Sequence, residues 1–358
     1  MIRPLSFVAV VFVLFLFVGC EVGKTNAIGQ DDEIIVFADS LTWIQLEPTL
    51  KQVFEDTVFT PIPERWFNLR WTDISLFDQF EKHKNRLLVG TLDSEDPVAH
   101  YVQRALDPAV QALVEEGKEF VFTKYDSRAR GQLTMFLAGT STTGLKISIQ
   151  HRAADLLYYF KNMSLKRELA LIEAERKYHK KEIEQSLAER YGWSMTIQHD
   201  YWVAIDSAES RFFWVRRANP TDMERWIWAH WIDSDNPGIL TDRWVVALRD
   251  SLTRKFLRTT EDEAYVEIAP YHLQIQPVNF LGWYAYEARG NWRFSDKSGG
   301  GPFVSYTFYD EQTKRIYMLD GSIFAPRVEK KKLILQVDGL LHTFRVGGTK
   351  NQVSASTN

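Results

Sequence analysis

Apolar and polar positions change period several times along this chain, and each change marks an expected element. Residues 7–18 are an unbroken apolar run, and residues 21–32 (EVGKTNAIGQDD) are polar. Residues 33–38 (EIIVFA) read as a strand, and 46–54 as a short amphipathic helix. Residues 67–71, 86–92 and 119–124 read as further strands. Residues 97–116 are helical with a break at Asp107-Pro108, because proline cannot continue a helix begun before it. Residues 142–160 again have helical spacing. This alternation over the first half predicts a sheet with helices packed on it.

Leu165, Leu169, Ile172, Arg176, His179, Ile183 and Leu187 recur at intervals of three and four. They predict one long charged helix over 164–191, its apolar stripe interrupted at Arg176 and His179. Glu175, His179 and Glu182 fall on nearby faces of that helix. They read as a solvated face with i,i+4 pairs rather than as metal ligands. Beyond residue 193 the texture becomes strand-like, with runs at 194–197, 202–205, 211–216, 225–231, 264–268, 283–289, 303–309 and 315–320. Residues 241–257 form a helix with Thr241 as its N-cap, residues 329–343 a closing helix, and 346–358 a polar tail expected to be disordered. The fold class is α+β, with mixed, mainly antiparallel sheets and packed helices. Two halves, 33–160 and a Trp-rich 193–345, are linked by the charged helix at 161–192.

Composition changes this picture at two points. The formal charge of -4 becomes -5 once Arg3 is removed with residues 1–19, which argues against a nucleic-acid partner that would need a basic face. The chain has one cysteine, Cys20, so no internal disulfide exists. That cysteine closes the apolar run, after Gly19 and behind the positive Arg3. Leu16-Phe17-Val18-Gly19-Cys20 resembles the lipobox of exported lipoproteins. The run is shorter than the ~20 residues a membrane-spanning helix needs. Residues 1–19 are therefore expected to be a lipoprotein signal peptide, Cys20 the lipidated residue, and 20–32 a flexible tether. The expected address is the cell envelope, anchored by lipid. Glu21 in place of aspartate after the cysteine points to the outer membrane.

Motifs for chemistry are sparse. The sequence has no H-E-x-x-H, no G-x-S-x-G and no G-x-G-x-x-G, and Gly23-Lys24-Thr25 lacks the earlier glycine of a phosphate loop, Val18 standing there. No cofactor or metal is expected. The informative stretch is 286–327. Glu287 and Arg289 are a charged pair, Trp292 offers a flat stacking face, and arginine suits planar anions. The glycines at 299–301 allow close backbone approach ahead of Phe303. Glu287, Arg289, Trp292, Gly300, Gly301, Phe303 and Arg327 are thus the candidate ligand-binding residues, expected together at one sheet end. The plainer reading is a hairpin in which Glu287 and Arg289 form a structural ion pair.

The runs E-A-R-G-N-W at 287–292, G-G-P-F-V-S at 300–305 and D-G-S-I-F-A-P-R at 320–327 resemble the C-terminal half of a lipoprotein family of Bacteroidetes-type bacteria. That family is known only as domain of unknown function 4837. Tyr201, the run 213–216 and the stretch from Arg243 to Asp250 fit the same pattern, while Asn291 and Gly299 depart from it. The resemblance implies an address and a shared fold, not a reaction. The leading expectation is a non-catalytic envelope lipoprotein that binds or scaffolds an envelope protein or glycan. The alternative is an envelope hydrolase acting on glycan or peptide, with Glu287, Arg289 and the glycine run in its site.

Overall fold

The computed structural model describes residues 23–58, 60–218, 223–261 and 263–347. The expected signal peptide, Cys20 and the tail beyond 347 lie outside them.

The first half is built on the strands β1 (Glu33–Ala38), β4 (Asn68–Thr72), β5 (Asn85–Thr91), β6 (Val121–Tyr125) and β7 (Leu133–Gly139), with a small hairpin of β2 (Thr57–Val58) and β3 (Glu64–Arg65) beside them. The sheet order is β4-β1-β5-β7-β6, parallel except for β6. β5 and β7 are buried at every position, the pattern of parallel strands covered on both faces. One face packs on α1 (Ser40–Phe54), α4 (Thr142–His151) and α5 (Ala153–Ala174) around Leu46, Leu50, Ile149 and Phe160. The other packs on α2 (Pro97–Ala105) and α3 (Pro108–Glu115) around Val98, Val102 and Val114. The break expected at Asp107-Pro108 is present: the Asp107 carboxylate accepts from Val110 N, and Pro108 opens the next helix. The strand at β7 escaped the sequence reading because its seven residues are buried on both faces and carry no period-2 alternation.

Two sequence expectations fail here. Residues 25–28, expected in a flexible tether, are docked: Ala27 N donates to Arg130 O at 2.8 Å, Ile28 N to Lys82 O at 3.0 Å, and Lys84 N to Ile28 O at 2.9 Å. The charged helix is also not continuous. α5 stops at Ala174, a 3-10 turn spans Arg176–Tyr178, and α6 (Lys181–Tyr191) starts afresh. The break falls across residues 173–178, all exposed, since a helical turn with nothing to bury gains little from packing. His179 then lies in extended backbone, its side chain only 4% exposed and 3.9 Å from Glu184. It is buried rather than part of a solvated face. Among the described residues no group of His, Cys, Asp and Glu is arranged to hold a metal.

The second half holds β8 (Trp193–Ser194), β9 (Trp202–Ser207), β10 (Phe212–Arg217), β11 (Glu224–Asp233), α7 (Asp242–Phe256), β12 (Val266–Ile268), β13 (Gln274–Phe280), β14 (Trp283–Phe294), β15 (Gly300–Asp310), β16 (Arg315–Phe324), α8 (Lys331–Leu341) and β17 (Arg345–Val346). Eight strands form one antiparallel sheet in the order β12-β14-β15-β16-β11-β10-β9, with β13 also paired to β14. Thr241 caps α7 as expected, its hydroxyl accepting from Trp244 N. Alternate residues serve opposite faces. Trp226, Trp228, Trp292 and Phe303 pack toward α7, while Val304, Tyr306, Phe308 and Leu319 pack toward α8. The architecture is α+β.

The halves are joined at α8. Glu64 of β3 is buried, and its carboxylate accepts from Lys330 N at 2.7 Å and Lys331 N at 3.0 Å. It caps a helix that begins 267 residues later in the chain. The Lys331 ammonium returns the contact, donating to Arg65 O, Trp66 O and the Asp32 carboxylate. Glu64→Ala should cost roughly 2 kcal/mol, because it removes a cap and strands two helix N–H groups in a buried seam. Urea unfolding of the full chain reads this; a loss below about 0.5 kcal/mol would show that the cap does not hold the halves together.

Candidate functional site

The period of β14 decides where the expected site residues go. Glu287 and Arg289 are two apart and share a face; Trp292 is three from Arg289 and points the other way. Trp292 is 1% exposed within the α7-side core, its indole donating to Ile323 O at 3.2 Å. Gly301 lies opposite it in register, and a Cβ there would stand 1.8 Å from that same Ile323 oxygen. At Gly300 a Cβ would meet Trp292 O at 2.5 Å. These glycines are inside β15, where they let neighbouring backbones and the indole pack closely. Phe303 is core as well, with the Arg249 guanidinium 3.5 Å from its ring centroid. Arg327 sits exposed on the turn after β16, with a left-handed φ of 65°. Of the seven expected residues, then, Glu287 and Arg289 meet on one face, Trp292, Gly300, Gly301 and Phe303 come together in the core of the other, and Arg327 stands apart. The patch at one sheet end is not formed, because the pleat separates its members.

Glu287 and Arg289 instead join a network on the α8 face. Arg289 Nε donates to Glu287 Oε1 at 2.8 Å, and its Nη2 donates to Asp338 Oδ2 of α8 and, at 3.2 Å, to the Tyr306 hydroxyl. That hydroxyl lies 2.8 Å from Asp338 Oδ1 and 3.1 Å from Glu287 Oε1, with one proton to give. Gln276 Nε2 donates to Glu287 Oε2 at 2.8 Å. His342, one turn after Asp338, places Nδ1 3.2 Å from Oδ1 of that acid. The Phe280 ring stacks on Tyr306 with centroids 4.1 Å apart. From the first half, α5 contributes Lys161, whose ammonium lies 4.1 Å from the Trp66 ring centroid.

Burial alone would push both carboxyls up; the Arg289 guanidinium reverses this and holds Glu287 and Asp338 below the usual carboxylate range. His342 shifts up, since the Asp338 carboxylate outweighs burial. Tyr306 is pushed well up by burial and then by Asp338. Burial, followed by the charge of Arg289, lowers Lys161 to about 8. Dense perturbed titration of this kind is the ordinary mark of a functional site and also of a structural ion network. Here every acid is held by partners on its own scaffold. Lys161 carries the one chemically unusual group, an amine that is partly neutral near pH 8.

The sequence reading missed Lys161, Tyr306, Asp338 and His342. Asp338 had a visible signal. It lies among Ile334, Val337 and Leu341 on the apolar stripe of the closing helix, where an acid needs a buried partner. A second buried pair, Arg249 with Asp320 at 2.7 Å and Ser322 at 3.3 Å, pins α7 to the sheet. Its two charged residues lie within the stretches that carried the family resemblance, so part of that resemblance is core structure.

Residues 180–343 match a family model described as a domain of unknown function (DUF4837), and residues 27–173 match another described as a domain of unknown function (DUF8532). No curated protein matches the chain. Among solved structures, one from Bacteroides thetaiotaomicron VPI-5482 is similar over 44% of this chain and 46% of its own, with 11% identity and a TM-score of 0.25. The chain thus spans about half the length of that structure. The Ran-binding protein Mog1p of Saccharomyces cerevisiae is similar over 43% of this chain and 90% of its own, with 8% identity and a TM-score of 0.29.

Arg289→Ala leaves two carboxylates facing each other at the seam and should cost about 2–4 kcal/mol, with Arg289→Lys recovering part. Thermal unfolding reads this; an unchanged melting temperature would mean the network holds nothing. Lys161 gives a pH test. Its folded pKa of about 8 lies below the ordinary 10.5, so the unfolded chain binds the extra proton between those values. Stability therefore rises with pH across that window. Lys161→Met should stabilise the protein near pH 7 by roughly 1–2 kcal/mol, discounted for partial exposure and the lost contact with Trp66. The advantage should vanish by about pH 10.5. A difference independent of pH would remove the assignment.

Proposed function

We propose that this chain is a lipid-anchored protein of the cell envelope, attached through Cys20, whose folded body binds or scaffolds another envelope component. The observation that carries a binding role over a catalytic one is the saturation of the seam. Arg289 is shared between Glu287, Asp338 and Tyr306, so this ionic cluster fastens α8 to the sheet and its carboxylates are committed to partners within the fold.

The anchor reading rests on the position of Cys20 at the end of the apolar run. The docking of residues 25–28 adds a geometric consequence. Only about five residues separate the proposed lipid from fixed backbone, a reach of at most about 18 Å. A lipidated Cys20 would therefore hold the body close to the bilayer. The ends of β5 and β7 at Asn85 and Leu133 would face the membrane, beside Lys84 and Arg130, which the docked segment contacts. The outer membrane is the proposed address.

Metabolic labelling with an alkyne fatty acid tests the anchor. The wild type should be labelled and recovered with membranes; Cys20→Ala should lose the label. Equal labelling of both would overturn the lipoprotein reading.

A further inference from the structure

The large sheet has two edges, and they are finished differently. At one, β13 carries Pro277, which cannot donate to an added strand. At the other, β9 has the sequence WVAIDS, with no proline, and the Lys180 ammonium stands 4.0 Å from the ring centroid of Trp202 at its start. Trp202 is 62% and Val203 42% exposed. An edge this apolar is a template for another chain unless something covers it.

The surroundings of β9 form a seat. The pairing of β9 with β10 shifts at Trp214/Val215, so Ala204 is an extra, bulged residue. The shift turns both Val203 and Asp206 toward α6, opposite Val215 and Phe213. Between α6 and this edge lies an open groove of about 190 Å³, lined by Glu182, Ile183, Ser186, Leu187, Val203 and Phe213, with Asp206 also on it. Its floor is apolar, and Glu182 on its rim is exposed. Asp206 is already bound by Arg190 and the Tyr191 hydroxyl.

We infer that the groove between β9 and α6 is a docking site for an extended peptide segment of a partner protein, added as a strand to β9 with apolar side chains in the groove and a basic side chain toward Glu182. This rests on the binding role proposed above and names its surface. The chemistry selects the occupant. A strand edge offers N–H and C=O groups at a repeat of about 7 Å, which a peptide backbone matches and a glycan or lipid does not. The groove accepts only one or two aliphatic side chains. A second copy of this chain fits poorly, because its own β9 would bring a further Asp206 toward Glu182. The bulge at Ala204 limits the added ladder to a few bonds, so the segment binds exchangeably.

The test pans a displayed library of random linear peptides, about twelve residues long, on the detergent-solubilised full chain. Enriched peptides should alternate apolar and polar positions and carry lysine or arginine. Fluorescence polarisation with the best peptide should show binding weakened at least tenfold by Val203→Glu and by methylation of alternate peptide nitrogens. Glu182→Lys, on the exposed rim, should also weaken it, while Tyr284→Ser, an exposed position of β14 on the far side of the sheet, should leave it unchanged. The inference is overturned if panning enriches nothing, if the methylated peptide binds equally, or if neither groove variant has an effect. It is also overturned if sedimentation shows a dimer that Val203→Glu disperses, which would seat a second copy on β9. None of these outcomes bears on lipid labelling at Cys20, so the docking site and the anchor fail separately.

Discussion

Helix α8 is the element on which the rest of the structure depends, because its needs are met by segments far apart in the chain. Its first N–H groups are taken by Glu64, which belongs to the first half. Its buried acid, Asp338, is held by Arg289 and Tyr306 from two strands of the second half. Its outer face packs on α5, where a Cβ on Gly339 would lie 3.2 Å from Ile172. A helix end and a carboxylate can be buried only if each finds its partner. The second half supplies the partners of Asp338 itself, but the cap exists only when the two halves are folded against each other. The units matched by the two family models are in this sense one body.

The same requirement explains why the charged residues of the second half do not form an open site. Glu287 and Arg289 share a face of β14 with Tyr306 of β15, and α8 lies over that face. The opposite face is filled by tryptophans, by Phe303 and by α7, with Arg249 and Asp320 buried between. Both faces of the sheet are spent on packing. What remains accessible is its perimeter, so recognition is most economically placed at an edge, and β9 is the edge left apolar.

Lys161 sits apart from this economy. It is the cation brought to the seam from α5, it faces Arg289, and its contact is the Trp66 ring rather than a carboxylate. Burying an ammonium beside a guanidinium works against stability. Such a residue can serve through the packing of its aliphatic stem or through its amine, and the pH dependence of its reactivity separates the two.

The sequence by itself determined the local elements wherever one physical rule acted alone. The alternation of strands and helices in the first half, the break at Asp107-Pro108 and the Thr241 cap follow from periodicity, proline geometry and side-chain capping. It also held, unused, the separation of Arg289 from Trp292, since three residues along a strand reverse the face. It did not show β7, whose uniform burial erases alternation. Nor did it show that the helix expected over 164–191 breaks at His179, because the contacts that make a bent path favourable, such as Lys180 N to Ile197 O, are tertiary. The site was legible only as the pair Glu287 and Arg289. Asp338, Tyr306, His342 and Lys161 join it across separations of up to 181 residues. No local pattern encodes such a meeting; it is decided when burial forces each charge to find whichever partner the completed fold has brought within hydrogen-bonding distance.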